Sequence, residues 1–153
     1  GIGARDQRPG WETGAMSTSA VTGDETGPPR CPCGSGTAYD TCCGRFHQGE
    51  SRALTAEALM RSRYSAFALG DEAYLLRSWH PGTRPARVRF VPDQHWTRLD
   101  VLAAAGGPLD AEGTVEFVAH FERDGEARQL HEISRFTRHV GDWVYVGPIA
   151  ADA

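Results

Sequence analysis

Four cysteines carry the plainest chemistry in the chain. Cys31, Cys33, Cys42 and Cys43 fall in one short segment, interleaved with Gly34, Gly36 and Gly44. Thiolates are soft ligands that favour zinc, and four of them satisfy a tetrahedral ion. Cys31-Pro32-Cys33-Gly34-Ser35-Gly36 has the form of a metal knuckle. Its glycines let the backbone turn tightly and aim N–H groups at sulfur, which offsets the thiolate charge. Tyr39 can pack over this loop as a small apolar cap. His47 competes for the fourth position: a Cys31, Cys33, Cys42, His47 set leaves Cys43 as a free thiol. An even number of cysteines also permits disulfides. The N-terminus lacks the apolar core of a secretory signal, and a reducing compartment disfavours them. A site with four protein ligands has no position open for water and is structural. A zinc–thiolate redox sensor is the alternative, and it needs an accessible thiolate.

A second group of residues could line a pocket. Glu132 shares a strand face with Leu130, Ser134 and Phe136. A carboxylate on a concave core face needs a partner, and Arg61 or Arg63 from a covering helix is the natural one. Arg61 and Arg63 are two apart, so only one can face the core. Tyr64 follows them, and His80 sits between Trp79 and Pro81 at a helix end. There a charged histidine caps the helix or serves as an acid or base. Arg135 is a further polar candidate for the pocket. His120 and His131 lie out of phase with the apolar strand faces and read as an exposed polar pair. Trp79, Trp96 and Trp143 read as core. The arginines from Arg77 to Arg98, with Asp93 the one acid among them, make a weak nucleic-acid patch.

Positioning these groups takes a helical part and a strand part. Thr55 can cap a helix running to Leu69, with Gly70 ending it and one apolar face of Leu59, Met60, Tyr64, Phe67 and Ala68. Asp71 can cap a second helix through Trp79, stopped by Pro81. Strands are predicted over Trp96–Leu102, Thr114–Phe121, Gln129–His139 and Trp143–Val146, turning at Asp124-Gly125 and Gly141-Asp142. Helices followed by hairpin-connected strands predict an α+β fold, an antiparallel sheet curling over the helices. Residues 1–30 are rich in Gly, Thr, Ser and Pro and read as a disordered leader in which Met16 can be the natural start. Residues 31–50 form the metal module, too short to hold itself by a core, so metal loss is expected to unfold it alone. Residues 51–153 form the larger domain.

Composition narrows the classes. Of 153 residues, 40% are apolar and 24% charged, with a net charge of -4. All sixteen basic residues are arginine, which excludes Schiff-base and phosphate-loop lysine chemistry. The acidic balance argues against a dedicated nucleic-acid binder. No apolar run approaches the roughly 20 residues needed to span a bilayer, so no membrane role and a cytoplasmic location are expected.

Cys31-Pro-Cys-Gly-Ser-Gly-Thr-Ala-Tyr-Asp-Thr-Cys-Cys-Gly resembles the SEC-C motif, the short zinc-binding element also found at the C-terminus of the SecA translocation motor. The resemblance supports Cys43 over His47 as fourth ligand. Met60-Arg-Ser-Arg-Tyr-Ser-Ala-Phe, Trp79-His80-Pro81 and Ser134-Arg135-Phe136 resemble the YchJ family of bacterial proteins. That resemblance implies a nuclear-transport-factor-like cone, with helices packed in a curved antiparallel sheet that can enclose a pocket. It carries no activity with it. Cys43-Gly-Arg-Phe-His47 departs from the proline- and tyrosine-containing stretch expected after the cysteine pair, which leaves room for His47 outside the metal shell. Three functions fit these residues. One is an interaction or adaptor protein whose zinc module meets a protein or ribonucleoprotein partner. Another is a binder of a small hydrophobic ligand in the cone, or an enzyme acting on it, with Glu132, His80 and Arg135 as its polar groups. The third is the redox sensor. No nucleophile–base pair stands out.

Overall fold

The computed structural model describes residues 29–152. The leader expected over residues 1–30, Met16 included, lies outside the described residues except for Pro29 and Arg30. These two pair with Tyr39 and Ala38. A 3-10 turn at Tyr39–Thr41 leads into α1 (Cys43–His47), α2 (Ala56–Leu69) and α3 (Glu72–Arg77). Four strands follow: β1 (Gln94–Ala105), β2 (Glu112–Arg123), β3 (Glu126–His139) and β4 (Asp142–Asp152). They form one antiparallel sheet in chain order. This is the expected α+β architecture.

The helix starts follow their caps. Thr55 Oγ1 accepts from Ala58 N at 3.0 Å, and Asp71 Oδ1 accepts from Tyr74 N at 3.1 Å. α3 ends at Arg77, short of the expected Trp79. The chain leaves the helix there because the sheet edge offers competing partners. His80 N donates to Tyr145 O at 2.8 Å, and Tyr145 N donates to Ser78 O at 2.9 Å.

The strands outrun their expected lengths. At the two-residue turns the hydrogen-bond ladder continues to the turn whatever the side chains, and the far end of β4 is extended by the pairing of Ala150, Ala151 and Asp152 with Ile133, Glu132 and His131. Arg123 pairs with Glu126 across Asp124-Gly125, as expected. His139 already pairs with Asp142, so the last turn is Val140-Gly141 and not Gly141-Asp142. Register shifts at Trp96/Arg98 and Val101/Ala103, and again at Ile133/Ser134 and Arg135/Phe136, increase twist and curl the sheet.

The concave face of the sheet supplies Leu99, Val115, Phe117, Phe136 and Trp143 to a core that Leu59, Met60 and Tyr64 of α2 close. The start of α2 lies directly on the β1–β2 hairpin. Ala56 N donates to Gly106 O at 2.9 Å, and a Cβ on Gly113 would collide with Ala105 O and Ala56 Cβ. The opposite side of α2 is buried too. Ser62, Ser65 and Ala66 are covered by the cysteine module and α3. The predicted one-faced helix is therefore enclosed from two sides. Small residues on the second side let its neighbours approach closely.

Candidate metal centre and cone cavity

The cysteine segment folds back on itself. Cys31 N donates to Thr37 O at 2.9 Å, Gly34 N to Cys31 O at 3.2 Å, and Cys42 N to Tyr39 O at 3.0 Å. Gly34 and Gly36 sit at φ 84° and 86°, which only glycine adopts freely. The four Sγ atoms consequently lie within 4.8 Å of one another. Cys33 Sγ and Cys42 Sγ are 3.7 Å apart. Tetrahedral metal–sulfur bonds of about 2.3 Å space their sulfurs by about 3.8 Å. No disulfide joins the four cysteines. The hydroxyls of Ser65 and Ser35 lie 3.4 and 3.1 Å from Cys31 Sγ and Cys42 Sγ. Backbone N–H groups of Cys33 and Cys43 face the Cys31 sulfur, and that of Ser35 faces Cys33. The hydrogen bond from Cys43 pulls Cys33 well below the usual thiol range, and the same bond pushes Cys43 up. Burial pushes Cys31 up. This donor set fits one four-coordinate ion held by Cys31, Cys33, Cys42 and Cys43.

His47 is placed outside that cluster. Its Nε2 lies 2.8 Å from Ser62 O, a carbonyl that can only accept, so Nε2 carries a proton. Its Nδ1 lies 2.6 Å from the Tyr39 hydroxyl, which donates to it. Nε2 fastens α1 to α2, Nδ1 ties α1 to the preceding 3-10 turn, and neither nitrogen is left for a metal. Tyr39, expected as an apolar cap, is thus also a hydrogen-bond donor. It packs on Gly44, where a Cβ would lie 2.8 Å from Tyr39 O.

Arg61 belongs to the metal module and not to the pocket. Its Nε pairs with Glu57 Oε2 at 3.0 Å, and its Nη1 donates to Cys33 O at 3.0 Å. Helical spacing turns Arg63 the other way. A cavity of 240 Å³ lies between α2 and the concave face of the sheet, and Arg63, Tyr64 and Glu132 all line it. Arg63 is 3% exposed. Its Nη1 donates to Leu75 O at 2.8 Å and to Ser78 Oγ at 2.7 Å. Its guanidinium carbon sits 4.8 Å from the Trp79 ring centroid and 4.5 Å from that of Tyr145. Burial lowers this arginine to about 10, which leaves it cationic at neutral pH. Glu132 Oε2 accepts from Ser134 Oγ at 2.5 Å and from the Tyr145 hydroxyl at 3.2 Å.

The expected Glu132–arginine ion pair is not formed. Arg63 reaches to the end of α3, and two hydroxyls hold Glu132. Tyr64 packs edge-on to Trp96 at 6.0 Å between centroids, and burial pushes its phenol up to about 12. Tyr145 and Ser134 are the cavity hydroxyls that sequence reasoning did not assign. Strand alternation was the signal: Ser134 follows Glu132 by two, and Tyr145 follows the core residue Trp143 by two.

His80 and Arg135 lie outside the cavity. With Ser134 and Phe136 turned inward, Arg135 alternates outward. His80 joins it beside a separate surface groove, where His80 Nδ1 accepts from Gly82 N at 2.9 Å. His120 and His131 form the expected polar face, hydrogen-bonded to Asp100 at 2.8 Å and Glu116 at 2.7 Å. The bond from His120 holds the Asp100 carboxyl below its usual range. Most of the arginines read as a nucleic-acid patch bind their own chain. Arg77 donates to Phe46 O and His47 O, Arg84 to Trp79 O, Arg87 to Glu72 and Arg98 to Asp100.

A curved antiparallel sheet closed by helices, with a four-cysteine knuckle seated on the covering helix, defines a nuclear-transport-factor-like protein carrying a thiolate module. The profile described as YchJ, middle NTF2-like domain, matches residues 55–148, and that of the SEC-C motif matches residues 30–45. The chain belongs to the YchJ family. A UPF0225 protein of Streptomyces coelicolor is 55% identical over 118 residues, covering 76% of this chain and 92% of the relative. One of Cupriavidus metallidurans is 52% identical over 128 residues, covering 79% and 89%. The solution structure of a SEC-C motif-containing protein from Rhodopseudomonas palustris superposes with a TM-score of 0.70 at 36% identity, over 80% of this chain and 98% of that one. The crystal structure of a SEC-C motif-containing protein from Psychrobacter arcticus gives 0.66 at 26%, over 80% and 83%. No helix among the described residues is long and apolar enough to cross a membrane.

Proposed function

We propose that this chain is a zinc-binding interaction protein. A zinc ion on Cys31, Cys33, Cys42 and Cys43 closes the knuckle, and the cone carries it as a rigid surface for a protein or ribonucleoprotein partner. The convergence of four sulfurs within 4.8 Å carries the reading. Four soft ligands at tetrahedral spacing favour zinc, and a full protein ligand set leaves it a structural role. Arg61, anchored on Cys33 O, and Arg45, anchored on Cys42 O at 3.2 Å, place positive charge beside the thiolates. Cys31, Cys33 and Cys43 are buried and Cys42 is half-buried, so a sensor would have only the Cys42 thiolate within reach of an oxidant. The knuckle tip from Gly34 to Thr37, with Asp40 and Thr41, is exposed.

Native mass spectrometry set against the denatured mass tests the metal. One zinc per chain is expected, and Cys42→Ser is expected to lose it. Affinity capture with an Asp40→Arg variant tests the surface. The wild type is expected to hold a stoichiometric partner that the variant loses while keeping its zinc. A wild type without zinc would remove the basis of this reading. Zinc retained by Cys42→Ser would refute the ligand set, and a zinc-loaded wild type with no stoichiometric partner would refute the interaction role.

A further inference from the structure

The cone cavity holds two charged groups that do not meet. Arg63 uses Nη1 on Leu75 O and Ser78 Oγ, and among the described residues its other nitrogens make no hydrogen bond. Glu132 receives both its hydroxyl donors on Oε2, and Oε1 has no partner among the described residues. Neither side chain has an ion-pair partner among those residues. Trp79 lines the same cavity, and its buried indole N–H is also without a hydrogen bond. The walls are otherwise aromatic and aliphatic, with Phe67, Trp96, Phe117 and Leu130 among them. An apolar enclosure with a few convergent polar groups is the usual form of a small-ligand site.

The chemistry of these groups selects the ligand. Buried donors on one wall and a carboxylate on another ask for one acceptor and one donor on the same molecule. A charged ligand would unbalance a cavity whose own charges already cancel, and it would bring a large desolvation cost. A neutral amide brings both functions at a smaller cost. Aromatic walls favour a flat ring through offset and edge-on stacking. A cavity of about 150 Å³ accepts benzene, so 240 Å³ has room for a ring with a small substituent. We propose that the cone cavity binds a small uncharged aromatic carboxamide or lactam, its carbonyl accepting from Arg63 and its N–H donating to Glu132.

The test is a titration of the ¹⁵N-labelled full chain with benzamide and 2-pyridone, set against benzoate, benzylamine and toluene. The indole N–H signals of Trp79 and Trp96 report on the cavity. That of Trp143, bonded to Leu54 O at 3.2 Å, is the control. The amide probes are expected to shift Trp79 and Trp96 saturably, leave Trp143 in place, and bind at least about tenfold tighter than the other three. Ala119 lines the cavity and belongs to the buried core, so Ala119→Leu is expected to abolish binding in a chain that stays folded at a lowered melting temperature. Glu132→Leu, which removes the acceptor at similar size, is expected to erase the preference for benzamide over toluene. Benzoate, benzylamine or toluene binding as tightly as the amides would overturn the proposal. Silence from both amides would also overturn it, as would an Ala119→Leu variant that is folded and still binds.

Discussion

Tyr39, Tyr64, Tyr74 and Tyr145 are all the tyrosines of the chain, and burial raises the pKa of every one. Unfolded phenols release their protons near pH 10, whereas Tyr64 holds its proton to about 12. The unfolded state therefore loses protons first, and stability falls as pH rises from 10 to 12. Arg63, lowered to about 10, acts in the opposite sense over the same window. Four raised phenols stand against one lowered guanidinium, so a net loss of stability is expected across this window. Urea midpoints at pH 9 and 11.5, with phenolate absorbance followed in parallel, check this. Tyrosine titrating freely near pH 10 in the folded protein would contradict it. Residue types alone could name the cysteines, because thiolate spacing is local. They could not say that Tyr39 and Ser62 would use both nitrogens of His47, because Ser62 lies on another helix.

At the scale of elements, the β3–β4 turn is an unfavourable choice of residues. Val140 sits at φ 51° and is 87% exposed. A β-branched residue in the left-handed region is strained, and here no burial compensates it. Val140→Asn is expected to stabilise the protein by about 0.5–1 kcal/mol, read as a raised melting temperature with metal content unchanged. An unchanged or lowered value would show that the strain is not felt. The contact between α2 and the β1–β2 hairpin tolerates no such change. Gly113→Ala, forced against Ala56 Cβ and Ala105 O, is expected to cost about 2–3 kcal/mol by denaturant unfolding. The helix starts were legible because caps are local. The end of α3 and the last turn were not, because pairing with β4 and β3 decided them.

Taken whole, the molecule does not part at the end of the cysteine module. Cys31, Cys33 and Cys43 share one buried cluster with Leu59, Val115 and Phe136. Arg61 ties the knuckle to α2, and Arg77 of α3 binds the last carbonyls of α1 at 3.1 and 2.9 Å. Metal loss is therefore expected to weaken the whole domain, where sequence alone suggested that only the module would unfold. Calorimetry of the metal-loaded and chelated protein should give one transition that moves down. A separate low-temperature transition, with the main one unmoved, would show an independent module.

The sequence by itself determined the four-cysteine knuckle, the helix caps, the alternating strands and the α+β order. Each depends on residues near one another in the chain, through turn chemistry, capping and periodicity. Only the tertiary structure decided which polar groups meet. It sent Arg61 to the knuckle and Arg63 to the cavity, kept Glu132 apart from both, and moved His80 and Arg135 to an outer groove. Helical rotation and strand alternation say which side a residue faces, but which partner waits there depends on how α2 is enclosed between the sheet and the cysteine module.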